Sequence, residues 1–139
     1  MAKDCGILTE LKNYFSNRTD VAFSFLYGSY ARGTAHSESD IDIAVYFYPA
    51  ERHPVEYEED VYYDGEHEIW ADLEELQGKE VELLVLNRVS ASVSASAIRG
   101  TPLVINDWKL YLDYMEIVTR EAEDYAQMLS NDFLERYEN

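Results

Sequence analysis

The sequence predicts the α/β (α+β) class: a small β-sheet covered by helices, with a long C-terminal helix. Three observations carry this reading. Apolar runs of strand length recur and alternate with stretches of helical spacing. Glycines (Gly28, Gly78 and Gly100) stand where one periodicity gives way to the next. From Asp107 onward a helical period runs without interruption.

The elements follow in order. Residues 5–17 predict a helix, because Ile7, Leu8, Leu11, Tyr14 and Phe15 fall on one face. Asn17, Arg18, Thr19 and Asp20 read as a turn. Residues 21–27 are a strand whose near-continuous apolar character implies burial on both faces. A short helix over 29–33 starts directly from it. Residues 35–39 are loop, with Ser37 and Ser39 in capping and turn roles, and 40–48 form the second strand. Residues 49–64 hold Pro49, Pro54, the acidic run Glu56, Glu58, Glu59 and Asp60, and the pair Tyr62 and Tyr63; they read as a loop. Asp64 is placed to cap a helix reaching Leu76, with Ile69, Leu73 and Leu76 inward and Gly78 as its stop. Residues 79–86 are a third strand, with Val81, Leu83 and Val85 on one face and Glu82, Leu84 and Leu86 on the other. A short helix over 90–98 ends at Gly100. Residues 101–105 suit an edge strand, since Pro102 cannot donate to a ladder. Asp107 caps the last helix, which reaches Tyr137 with Tyr111, Tyr114, Val118, Ala122, Tyr125, Leu129 and Phe133 as its stripe. The expectation is one domain over 1–139, with a core over 21–105 and the final helix over 107–137.

Composition excludes some functions. The net charge of −17, from 28 acidic and 11 basic residues, argues against direct nucleic-acid binding, which needs a basic surface. No apolar run is long enough to span a membrane. The start MAKDCGILTELK carries acids and no apolar h-region, unlike a signal peptide. Cys5 is the only cysteine, so a disulfide framework is excluded and a cytoplasmic location is expected. His36, His53 and His67 lack a zinc-ligand spacing.

Chemistry concentrates in residues 26–47. Gly28 and Ser29 end one strand, and Asp40 and Asp42 open the next. Residues two apart on a strand share a face, so the two carboxylates project together while Ile41 turns into a core. Adjacent carboxylates repel unless a cation lies between them, which points to a divalent metal. Glu82 is a carboxylate in an otherwise apolar strand. If that strand pairs beside the second, Glu82 completes a three-carboxylate site for one or two Mg²⁺ ions, which prefer hard oxygen ligands shared with substrate phosphates. The glycine turn at Gly28 and Ser29, with Arg32 one helical turn on, supplies the phosphate end. Tyr46, Tyr48, Tyr62 and Tyr63 lie on or after the second strand, near this site. Tyr111, Tyr114 and Tyr125 belong to the final helix, as core or interface.

These residues resemble the nucleotidyltransferase superfamily of the DNA polymerase β type, whose signature is Gly-Ser, about ten residues, then Asp-x-Asp. The resemblance covers roughly residues 21–105 and implies a mixed sheet covered by helices. Glu82 stands where the family more often has Asp. The chain's length points to the minimal nucleotidyltransferase (MNT) branch, many of whose members are antitoxins paired with a HEPN-domain ribonuclease toxin. The resemblance implies transfer of AMP from ATP to a tyrosine of that toxin. Asp40, Asp42 and Glu82 would then hold metal and do the catalytic work, and Gly28, Ser29 and Arg32 would bind nucleotide. A homo-oligomer or a hetero-oligomer with the toxin is compatible with this. Two other readings remain open: neutralisation of the toxin by masking alone, and adenylylation of a small molecule.

Overall fold

In a computed structural model of the protein, which describes residues 2–36, 38–49 and 62–138, the apolar run Val21–Tyr27 forms β1. It lies inside a four-stranded sheet between β2 (Ile41–Phe47) and β4 (Thr101–Ile105), antiparallel to both. Six of its seven residues are buried, as its two-sided apolar pattern requires. The third strand, β3 (Val81–Val85), runs parallel to β2 at one edge, and β4 is the other edge. The sheet is therefore mixed. The parallel pair needs a crossover, and α3 (Gly65–Gln77) supplies it.

Helices cover both faces. On one face, Leu11 and Phe15 of α1 (Ala2–Ser16) and Ile69 and Leu73 of α3 pack on Ile41, Ile43, Val45 and Val85. On the other, Ala97 of α4 (Ala91–Ala97) and Tyr114 and Val118 of α5 (Trp108–Glu138) pack on Phe23, Phe25, Ala44 and Tyr46. Phe23 stacks on Tyr46 at 4.7 Å between ring centres, and Tyr114 tilts against both. The fifth helix is 31 residues long, about 46 Å at 1.5 Å per residue. Among its described side chains none is buried beyond Val118, so its C-terminal part runs past the sheet.

Some expectations are corrected. Leu76 is 45% exposed, because the last turn of α3 passes the end of the buried row formed by Ile69 and Leu73. Asp64 makes no side-chain cap bond. The α3 start is tied instead by Glu66, whose carboxylate accepts from the Tyr63 N–H at 2.8 Å and holds both Arg88 guanidinium nitrogens at 2.6 Å. Asp107 does cap α5, accepting from the Leu110 N–H at 2.9 Å. The expected loop at 50–61, with its acidic run and His53, lies outside the described residues. So do Ser37 and the side chains of Cys5, Tyr125, Leu129 and Phe133.

One buried amide extends the β2–β3 pairing. Asn87 is 2% exposed; its side chain donates to the Phe47 carbonyl at 3.0 Å and accepts from the Phe47 N–H at 2.9 Å. Asn87→Ala would leave both backbone groups without these partners, at about 2–4 kcal/mol. In urea this is expected as a lower midpoint with an unchanged slope.

Candidate functional site

The sequence-predicted residues meet at one end of the sheet, where β1 ends and β2 and β3 begin. In the strand registers Tyr27 lies opposite Asp42, and Asp42 lies beside Glu82. Alternation puts all three on the face carrying α4 and α5. Asp42 precedes Ala44 and Tyr46, and Glu82 precedes Leu84 and Leu86. A register irregularity between Val21 and Phe23 brings Phe23, Phe25 and Tyr27 onto that same face. Asp40 lies just before β2 and is exposed, while Ile41 between the two aspartates is fully buried on the opposite face.

Gly28 opens the five-residue helix α2 (Gly28–Arg32). Its φ of +70° is a backbone state that side chains disfavour. A Cβ built at Gly28 would also overlap the Asp42 carboxylate. The close backbone approach expected of this glycine is therefore made, in the protein itself, by the catalytic candidate Asp42. Ser29 is the second residue of α2, and Arg32 ends it.

Burial pushes the Asp42 carboxyl up to about 6; a hydrogen bond with Glu82 and the charges of Glu82 and Asp40 add to the shift, while Arg32 opposes it. Burial also pushes the Tyr27 hydroxyl up to about 12, helped by Asp42 and Glu82. The site thus sets a carboxyl that is harder to ionise than usual beside a phenol that stays neutral. A raised carboxyl pKa stabilises the fold below the ordinary value near 4, and that contribution is lost as pH rises through 6. In EDTA at pH 7.5, Asp42→Asn is expected to raise Tm by about 3 °C, since a shift of this size on a partly exposed group is worth about 1 kcal/mol after screening. The gain should vanish below pH 4, as differential scanning fluorimetry at both pH values would show.

The donor set suits a hard divalent cation. Asp42 and Glu82 converge and Asp40 adds charge, although among the described residues no three His, Cys, Asp or Glu side chains form a closed metal-binding group. Mg²⁺ is ordinarily held by one or two carboxylates plus substrate phosphates, so an open pair fits it.

Beside the carboxylates lies an open cleft of about 320 Å³ whose walls include Tyr27, Gly28, Arg32, Ser96, Arg99 and Thr101. Sequence reasoning missed Tyr27 and Arg99. Tyr27 was legible as the last residue of its strand, next to the glycine turn. Arg99 was not, because its place depends on β4 pairing with β1. That pairing seats Gly100 so tightly on the Leu26 backbone that a Cβ there would overlap it.

The four tyrosines expected near the site are elsewhere. Tyr46 is buried in the aromatic core, and Tyr63 stacks on Phe47 at 4.8 Å. Tyr48 follows the far end of β2, and Tyr62 sits over Arg88 at 5.0 Å. At 3.3 Å per residue, the length of β2 puts Tyr48 about 20 Å from Asp42. Only the start of the strand belongs to the site.

A family model described as polymerase beta, nucleotidyltransferase matches residues 9–109. Several solved structures share the fold. A crystal structure of a toxin–antitoxin with AMP-PNP gives a TM-score of 0.61 at 20% identity, covering 93% of this chain and 97% of that one. A tri-AMPylated Shewanella oneidensis HEPN toxin in complex with MNT antitoxin gives 0.54 at 18%, covering 90% and 91%. A toxin–antitoxin MntA-HepT structure gives 0.54 at 15%, covering 90% and 98%. No curated protein matches.

Proposed function

The chain belongs to the polymerase β nucleotidyltransferase family, and on that premise we propose that it is a Mg²⁺-dependent adenylyltransferase acting as an antitoxin, moving AMP from ATP to a tyrosine of a HEPN-domain toxin. The observation that carries this reading is the registered set Tyr27, Asp42 and Glu82 with Gly28 against the Asp42 carboxylate. The shared fold of toxin–antitoxin complexes bearing AMP-PNP or AMP groups supports it. No helix among the described residues is long and apolar enough to cross a membrane.

In the reaction a bond forms between the acceptor tyrosine oxygen and the α-phosphorus. The bond from that phosphorus to the bridging oxygen breaks, and pyrophosphate leaves with that electron pair. Metal held by Asp40, Asp42 and Glu82 would offset charge on the phosphates and ease ionisation of the acceptor. Gly28 lets the Asp42 carboxylate lie against the turn without a side chain in the way. Arg32 adds positive charge on that side. Glu82, exposed beside Asp42, would take the acceptor proton. The Tyr27 hydroxyl stays protonated at neutral pH and can donate a hydrogen bond into the site. Between Val118 and residue 131, the described side chains of α5 are exposed or half-buried and would be available to the partner.

The test is transfer of label. The protein is incubated with Mg²⁺ and ATP labelled at the α-phosphate, together with a candidate HEPN-domain toxin. Label on a tyrosine of that protein, and none when the γ-phosphate is labelled instead, is the expected result. Full neutralisation of the toxin by an Asp40→Asn, Asp42→Asn variant would remove catalysis from the account.

A further inference from the structure

The pairing of β3 with β2 fixes which backbone groups this edge strand turns outward. The Ile41 N–H donates to the Glu80 carbonyl at 3.1 Å, and the Leu86 N–H donates to the Val45 carbonyl at 2.8 Å. Successive residues of a strand point their backbone groups to opposite sides, so those of Glu82 and Leu84 face β2 while those of Val81, Leu83 and Val85 face away. Both ends of this outer row are closed. Glu74 accepts from the Val81 N–H at 3.0 Å, and the Trp70 indole donates to the Val81 carbonyl at 3.0 Å. The Val85 carbonyl accepts from the Arg88 N–H at 3.2 Å. Between them, the Leu83 N–H and carbonyl and the Val85 N–H have no hydrogen-bond partner among the described residues. Unpaired edge groups are a template for a further strand. Here the open stretch begins one residue from Glu82, which is exposed and registered beside Asp42.

We propose that this edge receives an extended, tyrosine-bearing segment of the protein substrate as a short antiparallel strand. The inference rests on the adenylyltransferase reading and names how the acceptor is presented. One residue of the segment would exchange two hydrogen bonds with Leu83, and the carbonyl two residues before it would accept from the Val85 N–H. The residue after it would stand opposite Glu82 at a non-hydrogen-bonded position, where Cα atoms are about 4.5 Å apart and side chains share a face. A tyrosine there lies on the face of Glu82 and Asp42, about 10 Å from Asp42 across two strand spacings. A phenol and the phosphate it attacks fill that span. Trp70, Glu74 and the turn at Arg88 close the stretch on either side, so it suits a short segment rather than a long strand. Glu80 and Glu82 are both exposed, which favours Lys or Arg beside the tyrosine; a second copy of β3 would bring its own glutamates instead.

The experiment combines the full chain, a candidate HEPN-domain toxin and MgATP labelled at the α-phosphate, for the wild type, Leu83→Pro and Leu83→Ala. Leu83→Pro removes an N–H that faces away from β2, whereas Leu83→Ala loses comparable packing and keeps the N–H. Melting temperatures check that both fold. Leu83→Pro is expected to transfer AMP to the toxin about tenfold or more slowly than Leu83→Ala, while the two bind MgATP alike to within about twofold in calorimetry. If Leu83→Pro does not fold, amide exchange of the wild type decides. The Leu83 and Val85 amides are expected to exchange about tenfold or more slowly in the toxin complex than in the free chain. Equal transfer by the two folded variants, or unchanged exchange at these amides in a complex that transfers AMP, overturns the added strand and leaves the adenylyltransferase reading standing. Slowing that grows with the concentration of the free chain assigns the edge to a second copy and overturns it too. No transfer by the wild type overturns both.

Discussion

Asp42→Asn is expected to lower AMP transfer about a thousandfold or more, the largest effect at any single side chain. Asp42 is linked by contact or by charge to the other parts of the site. It is hydrogen-bonded to Glu82, lies beside Gly28, faces Tyr27 across the β1–β2 ladder and feels the charges of Asp40 and Arg32. An amide keeps the shape and removes the charge, which is what a cation and a polyphosphate respond to; losses of about 4 kcal/mol in transition-state stabilisation correspond to this factor. Asp40→Asn should follow closely, since Asp40 is exposed yet electrostatically linked to Asp42. Glu82→Gln should cost less, about tenfold to a hundredfold, if its part is to receive a proton that water can also take. Initial rates with labelled ATP at saturating Mg²⁺ give the ranking, and a Glu82 variant as inactive as the Asp42 variant would make metal binding, rather than proton transfer, the main part of Glu82.

Gly28→Ala is expected to be nearly as damaging for a different reason, and it should also destabilise the fold. Two costs add. At φ +70° an L side chain costs about 1–2 kcal/mol. The new methyl also meets the Asp42 carboxylate, so either the turn or the carboxylate must move. A displacement near 1 Å in such a site costs about a hundredfold in rate. The steric part can be isolated. In Asp42→Ala the overlapping carboxylate is gone, leaving the backbone cost and a close contact with the Cβ of residue 42 at 3.3 Å. The double variant should therefore be more stable than the sum of the single changes predicts, by about 1 kcal/mol or more in urea titrations. Strict additivity would show that the two residues do not meet as described.

The strand and helix order was readable because each run carries one clear period closed by a turn residue. Leu11 and Phe15, or Ile69 and Leu73, announce their buried faces by spacing alone. The carboxylates were readable because Asp40, Asp42 and Glu82 break apolar runs, and the β2–β3 register brings Asp42 beside Glu82. What local pattern does not hold is pairing between distant strands. Arg99 and Thr101 reach the cleft only because β4 pairs with β1, about eighty residues away in sequence. The tyrosines misled for a related reason. Proximity in sequence to Asp42 was taken for proximity in space, although an extended strand carries residues away from each other faster than any other element.

The placement of β1 inside the sheet also bears on how the chain acquires competence as it is made. Its two neighbours are β2, which follows at once, and β4, which arrives only after the parallel crossover through α3 and β3. The long loop between β1 and β4 must close before Arg99 and Thr101 join Arg32 along the cleft, so this step carries the larger chain-entropy cost. A nascent chain that has released only residues through β3 already carries Asp40, Asp42 and Glu82, yet it lacks one side of the cleft. Nucleotide binding at that cleft would then be a late event in folding, gained in step with the docking of the last strand.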